Sequence, residues 1–358
     1  MSRWTPALDP ADLEALGAEL SEEERLVQQT ARNYVRQRVL PAVGQWFEQA
    51  ALPRELAGEL GRLGVLGMQL EGYGCAGAGA VSYGLACLEF EAGDSALRSL
   101  ISVQGSLVMF PIWKYGTDAQ KEQYLPALAS GEIIGCFGLT EPDAGSDPSS
   151  MRTRARRDGN DWVLDGTKMW ITNGSIADIA IVWAATPDGA RGFLVPRGTP
   201  GFSAVDIHHK WSLRASTTSE LVMDSCRLPE DAMLPGALGL RGPLSCLHEA
   251  RYGIVWGALG AARACYESAL AYALEREQFG RAIASFQLTQ AKLVDMAVEI
   301  EKGLLLAYHL GRLKESGRLS AEQVSIGKLN STREALKIAR AARTILGANG
   351  VTLEYPVI

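Results

Sequence analysis

The stretch Cys136-Phe137-Gly138-Leu139-Thr140-Glu141-Pro142-Asp143-Ala144-Gly145-Ser146-Asp147, followed after a hairpin by Gly166-Thr167-Lys168-Met169-Trp170-Ile171-Thr172-Asn173-Gly174, decides how this chain reads. Pro142 and Gly145 force a turn. Thr140 and Ser146 add hydroxyls beside backbone N–H groups, a nest able to hold both a ring edge and a pyrophosphate. Taken alone, this is also what an ordinary Ser/Asp-rich turn looks like. Trp170 and Thr172 change the balance, because an aromatic face and a hydroxyl one residue apart suit a flat ring covered on one side and hydrogen-bonded along an edge. The two loops together point to a flavin.

Outward from these loops the sequence changes period twice. Residues 21 to about 135 read as helical: Ser21 with Glu24 forms a capping box, Leu26, Val27, Tyr34 and Val35 share a face, and Pro41 ends or bends that helix. Further helices are expected at about 53–64, 80–92, 96–113 and 117–129. From 136 to about 235, short β-type runs (Trp162–Leu164, Ile179–Trp183, Gly192–Val195, Phe202–Val205, Glu220–Met223) alternate with Gly and Pro turns. After Pro235-Gly236 the helical period returns. Leu293, Met296, Ile300 and Leu304 form one stripe, and Ser320 with Gln323 caps a helix that runs to a stop at Gly347. The expected fold is mainly α with a central β domain: residues 1–135 helical, 136–237 a β barrel or sandwich, and 238–358 a helical bundle.

The 358 residues, 47% hydrophobic and 21% charged, can fill more than one core. A net charge of −6 without a long basic run leaves no footprint for nucleic acid. Six scattered cysteines and four histidines suggest neither a zinc site nor a disulfide framework. The N-terminal segment lacks an apolar core and the apolar runs are interrupted, so no membrane insertion and a cytoplasmic location are expected.

Gly72-Tyr73-Gly74-Cys75-Ala76-Gly77 matches G-x-G-x-x-G, with Glu91 near the spacing of a ribose-binding acid. A nicotinamide site needs a strand before these glycines, whereas Leu60–Leu70 reads as the end of a helix. A loop before the next helix is the preferred reading.

The two opening motifs resemble the acyl-CoA dehydrogenase signatures [FYC]-x-[LV]-T-E-P-x-x-G-S-D and G-x-K-x-W-I-T-N. The likeness continues, in order, through Leu244–Tyr252, Tyr272–Gly280, Phe286-Gln287, Ile345–Gly350 and Glu354-Tyr355-Pro356. The resemblance implies FAD held at Phe137, Leu139, Thr140, Gly145 and Ser146, with Trp170, Ile171 and Thr172 along the flavin. It further implies that Arg276, Gln287 and the segment from Thr344 through Gly347 to Ala348 reach the FAD of a neighbouring subunit, in a homo-oligomer expected to be a tetramer. A guanidinium suits a pyrophosphate, in keeping with Arg276. Leu244, Ser146 and Arg251 would line the CoA thioester, and an electron-transferring flavoprotein would accept the electrons.

Within the family, the stretch from Glu91 through Arg98 and Ser99 is similar to glutaryl-CoA dehydrogenase, in which an arginine and adjacent serine bind the distal carboxylate and a glutamate tunes them. An apolar acyl chain has no use for a buried guanidinium, whereas a dicarboxyl-CoA needs one to offset burial of its carboxylate. Arg98 capping a helix or pairing with Asp94 is the plainer alternative.

The resemblance also implies a base glutamate in a Tyr-Glu-Gly-Thr motif downstream of Glu354-Tyr355-Pro356, and the sequence stops at Ile358. The family's other base position, just before the CoA-side arginine, is Ala250 here. No catalytic base is therefore assigned, and a truncated chain is the expectation. A catalytically silent FAD or acyl-CoA binder and a short-chain acyl-CoA dehydrogenase stand as alternatives.

Overall fold

The computed structural model describes residues 16–357, with elements in the order helices, sheet, helices. The first helices are α1 (Glu22–Tyr34), α2 (Val43–Gln49), α3 (Glu55–Arg62) and α4 (Ala80–Gly93), followed by α5 (Ser95–Ser102), α6 (Phe110–Tyr115) and α7 (Asp118–Ser130). α1 starts at the expected capping box: the Glu24 amide donates to Ser21 Oγ at 3.2 Å and the Ser21 amide to Glu24 Oε2 at 2.8 Å. Two π-helical segments were not foreseen, Val35–Val39 after α1 and Val103–Met109 joining α5 to α6. Each inserts a residue that an apolar pattern of period 3.6 does not register.

The run Ser95–Tyr115 corrects one expectation. Its 21 residues are long and apolar enough by composition to cross a bilayer, although every apolar run was expected to stop short. Its apolar window is 83% buried inside the protein, so this is a core helix.

The chain divides into two compact units, one drawn from Met1–Gly44, Gly79–Ser95 and Arg251–Ile358, the other from Gln45–Ala78 and Ala96–Ala250. The second unit holds the sheet: β1 (Gly135–Gly138), β2 (Arg154–Asp158), β3 (Asp161–Thr172), β4 (Ile179–Thr186), β5 (Gly189–Pro196), β6 (Phe202–Asp206) and β7 (Thr218–Leu228). The strand order is β1-β4-β2-β3-β7-β6, with β5 also on β4. β1 runs parallel to β4, whereas β3 pairs antiparallel with β2 and β7. Strand alternation divides the core. Phe137, Ile179, Ile181 and Trp183 pack with Val108, Ile112, Leu125 and Leu128, while Cys136, Ala180, Val182 and Ala184 pack with Trp162, Leu164 and Leu221.

The first unit contains α1, α4, most of α8 (Arg241–Glu275), α9 (Gln287–Glu315) and α10 (Ala321–Leu346), with a hairpin of β8 (Glu277–Gln278) and β9 (Arg281–Ala282) between α8 and α9. Leu293, Met296, Ile300 and Leu304 of α9 are all buried, as their spacing requires. α10 begins at the Ser320–Gln323 capping box and stops at Gly347, whose φ is +59°. Tyr83, Phe90, Tyr252 and Trp256 fill this core, and the Tyr252 hydroxyl donates to the Ala80 carbonyl at 2.8 Å.

The glycines of the Gly72–Gly77 motif sit in a turn, with φ of +77°, +83° and +65° at Gly72, Gly74 and Gly77. The Gly77 amide donates back to the Leu70 carbonyl at 3.0 Å and α4 begins at Ala80. No strand precedes the motif among the described residues, so its glycines serve a turn and not a dinucleotide fold.

Candidate functional site

β1 delivers the chain to the loop 139–147, and β3 runs beside it. The two are joined by main chain and by a buried ion pair. The Met169 amide donates to the Thr140 carbonyl at 2.8 Å. Lys168 Nζ donates to Glu141 Oε1 at 2.8 Å and to the Leu139 carbonyl at 3.1 Å. Glu141 also accepts the Arg152 amide at 2.6 Å and the Thr153 amide at 2.9 Å. Lys168 is fully buried and the Glu141 side chain 4% exposed, and only a pair with its remaining hydrogen bonds made is tolerable at such burial. Burial pushes the Glu141 carboxyl up, but Lys168 and the two amides outweigh it and hold it below its ordinary value.

Trp170 owes its position to a β-bulge. Lys168 faces Leu221 on β7 and Ile171 faces Ser219, so three steps on β3 span two on its partner. Regular alternation would put Trp170 on the buried face with Lys168. The bulge instead buries Ile171 and turns the indole out, 61% exposed, with Trp170 at φ +64°. A bulky residue in the left-handed region is costly and points to a functional constraint.

The loop opposite is open. Gly145 and Ser146 are exposed, and a Cβ on Gly145 would meet nothing within 4 Å. No chain contact demands glycine there, so the empty space beside its backbone is available to a ligand. The Thr140 N–H and hydroxyl and the Thr172 hydroxyl meet no partner among the described residues. Phe137 and Leu139 have their side chains in the core, with the Phe137 ring 6.2 Å from that of Trp183, so they can offer only main chain to a ligand. Phe137, Leu139, Thr140, Gly145, Ser146, Trp170, Ile171 and Thr172 thus lie on two segments that the Met169–Thr140 bond brings together. An exposed indole beside unspent donors can receive a flat heteroaromatic ring.

In the same unit, Arg98 lies on α5 and is buried to 7% exposure, with Ser99 half-buried next to it and Leu244 exposed at the start of α8. Tyr115 and Ser245 hydroxyls are 2.8 Å apart. In the other unit, Glu91 and Arg251 are half-buried on α4 and α8. Arg276, Gln287, Thr344 and Gly347 are all exposed. Arg276 closes α8, one turn after Tyr272, whose hydroxyl accepts from Asn349 Nδ2 at 3.1 Å, so the end of α10 and the end of α8 meet. Glu249 is half-buried and Glu354 exposed.

Glu141 and Lys168 stand inside the opening motifs, yet neither carries a role in the sequence reading. Their signal was a lysine on the inward register of a strand otherwise filled by Trp162 and Leu164. A second cluster was also missed, in the first unit: Glu89, 1% exposed, accepts from Arg263 and from Arg32 Nη2 at 2.9 Å and Gln28 at 3.2 Å.

Three family profiles match successive stretches of the chain: Acyl-CoA dehydrogenase, N-terminal domain at residues 21–132, middle domain at 136–226 and C-terminal domain at 238–358. The crystal structure of glutaryl-CoA dehydrogenase from Mycobacterium smegmatis is 64% identical with a TM-score of 0.96, covering 97% of this chain and 90% of that one. A glutaryl-CoA dehydrogenase from the same organism in complex with FADH2 is 61% identical, with the same TM-score and coverage. Short-chain specific acyl-CoA dehydrogenase, mitochondrial, of Bos taurus is 36% identical over 346 residues, 94% of this chain and 84% of that protein. Matched from its first helices to its last, and built on the same succession of helical, β and helical domains, this chain belongs to the acyl-CoA dehydrogenase family.

Proposed function

We propose that the chain binds FAD and dehydrogenates glutaryl-CoA across its α,β bond, with loss of the distal carboxylate as CO2 to leave crotonyl-CoA. The residues present fit the cofactor: Trp170 is held outward at the expense of backbone strain, the Gly145 backbone faces open space, and the Thr140 N–H and hydroxyl have no partner among the described residues. Bound FAD supplies the hydride acceptor. Main chain at Phe137 and Leu139 with Thr140, Gly145 and Ser146 would hold its ring and pyrophosphate, and Trp170, Ile171 and Thr172 would cover and orient the ring.

The substrate assignment rests on one observation, the burial of Arg98 to 7% exposure. A guanidinium withdrawn from water on a helix can offer the far carboxylate of a dicarboxylic acyl chain a charged donor beyond its contacts within the chain, with Ser99 assisting. The 64% identity to a glutaryl-CoA dehydrogenase supports the same choice over a short monocarboxylic chain. Ser146, Leu244 and Arg251 would line the thioester. Arg276 at the end of α8, Gln287 at the start of α9, and Thr344 and Gly347 at the end of α10, all exposed, would complete the cofactor site of a neighbouring subunit in a tetramer. An electron-transferring flavoprotein would take the electrons, in the cytoplasm.

Ala250 favours a second reading, because it puts no titratable group just before Arg251: a binder of FAD and acyl-CoA that performs no dehydrogenation. Anaerobic addition of glutaryl-CoA to the FAD-loaded protein distinguishes the two. Bleaching of the flavin by glutaryl-CoA supports the enzyme. Saturable binding of glutaryl-CoA with no bleaching supports the silent binder. Strong bleaching by butyryl-CoA and none by glutaryl-CoA overturns the substrate assignment.

A further inference from the structure

Lys168 occupies an unusual place for a lysine, fully buried on a strand and two residues before an outward-facing tryptophan. Its ammonium makes two bonds of different character. The one to Glu141 Oε1 balances its charge, and the one to the Leu139 carbonyl grips the main chain of the loop. In a trans peptide the carbonyl and the N–H point in opposite directions. A Leu139 carbonyl turned inward to Lys168 therefore aims the Thr140 N–H away from the core. That N–H has no acceptor among the described residues, and the Thr140 carbonyl is fixed in turn by the Met169 amide. The wall behind is close: a Cβ on Gly138 would lie 3.2 Å from Lys168 Cγ, so the lysine stem has little room to move.

We propose that Lys168 is a positioning residue for the cofactor, its ammonium holding the Leu139–Thr140 peptide so that the Thr140 N–H donates to the polar edge of the flavin ring. Glu141 makes the charge tolerable and, through the Arg152 and Thr153 amides, closes the loop behind it. The inference rests on FAD binding as proposed above and adds a group that does not touch FAD. A donor aimed at the ring edge stabilises the charge that gathers there on reduction, so the device acts on the flavin potential as well as on affinity.

The double variant Lys168→Met with Glu141→Gln tests it, because it removes the grip on Leu139 without leaving a buried charge unpaired. Wild-type protein is first shown to retain FAD, and failure there rejects the cofactor reading and not this one. The double variant is expected to keep the thermal midpoint of the apoprotein, to bind FAD about tenfold more weakly, as the loss of roughly one hydrogen bond implies, and to shift the flavin potential to more negative values. Glu141→Gln alone keeps the Lys168 donor, so it is expected to lose stability while holding wild-type FAD affinity and potential. Wild-type affinity and potential in the double variant would overturn the proposal. So would an equal shift of the potential in Glu141→Gln alone, which would mark the pair as structural support only.

Discussion

The Met169 amide donates to the Thr140 carbonyl at 2.8 Å, and this bond, beside those of Lys168 to Leu139 and Glu141, ties the open loop 139–147 to the strand that presents Trp170 one residue later. Two motifs separated by a hairpin in sequence thereby become the two sides of one site. The bond also explains why the bulge lies where it does. Met169 turns its N–H toward the loop instead of toward β7, and the ladder between Lys168 and Ile171 is interrupted there.

Trp170→Gly separates site from scaffold. A buried tryptophan cut back to a small residue costs about 3–5 kcal/mol, but Trp170 is 61% exposed at φ +64°. Glycine relieves the left-handed strain of roughly 1–2 kcal/mol and gives back about 0.5–1 kcal/mol in backbone entropy. The apoprotein is expected to melt at or slightly above the wild-type midpoint, while FAD affinity falls at least about tenfold. Thermal melts of apoprotein and fluorescence titration with FAD check the two halves.

What the sequence revealed, and what it hid, follows the range of each interaction. The capping boxes at Ser21 and Ser320 were legible because their partners lie three residues away. The inward stripe of α9 was legible because it repeats with the helix. Trp170 and Thr140 were legible as motif residues, but the bulge that turns the indole outward depends on β7, some 50 residues on. Glu141 and Lys168 are 27 residues apart, and Glu89 and Arg263 are 174 apart. Charges buried at such distances look like ordinary surface charges until the fold brings them together.

Arg98→Met is expected to change specificity, with a loss of stability as well, because the buried Arg98 also interacts within the chain. Methionine fills much of the same volume, and a carboxylate loses a charge-assisted bond worth roughly 1.5–3 kcal/mol. Glutaryl-CoA should bind about a hundredfold more weakly, with butyryl-CoA within about threefold of wild type. Equal losses for both esters in a flavin-perturbation titration would remove Arg98 from the carboxylate site.

Glu89 links the first unit to pH. Burial raises its carboxyl, but the guanidiniums of Arg263 and Arg32 outweigh it and hold it at about 2, below the ordinary 4.5. Since the folded value lies below the unfolded one, its stabilisation is complete above about 4.5 and is lost as pH falls from there through about 2. Glu89→Ala leaves two arginines facing each other, 19% and 6% exposed, and is expected to cost about 3–5 kcal/mol at neutral pH. Urea unfolding from neutral pH down to 3 should show the gap between wild type and Glu89→Ala narrowing only in the acid limb.

Gly84→Ala pits local preference against packing. In the middle of α4, alanine gains about 1 kcal/mol of helix propensity over glycine. Its Cβ, however, would lie 2.3 Å from Cε2 of Trp256, a ring with no exposed surface into which it could swing. Overpacking of a close-packed core typically costs about 1–3 kcal/mol, so the substitution is expected to destabilise despite the better helix former. Trp256→Phe alone opens a cavity and destabilises as well. Together the two changes should cost less than their sum by at least about 0.5 kcal/mol, the coupling expected of residues in contact. Chemical unfolding of the four proteins in the cycle measures it, and strict additivity would mean that the helix backbone, not the ring, moves to make room.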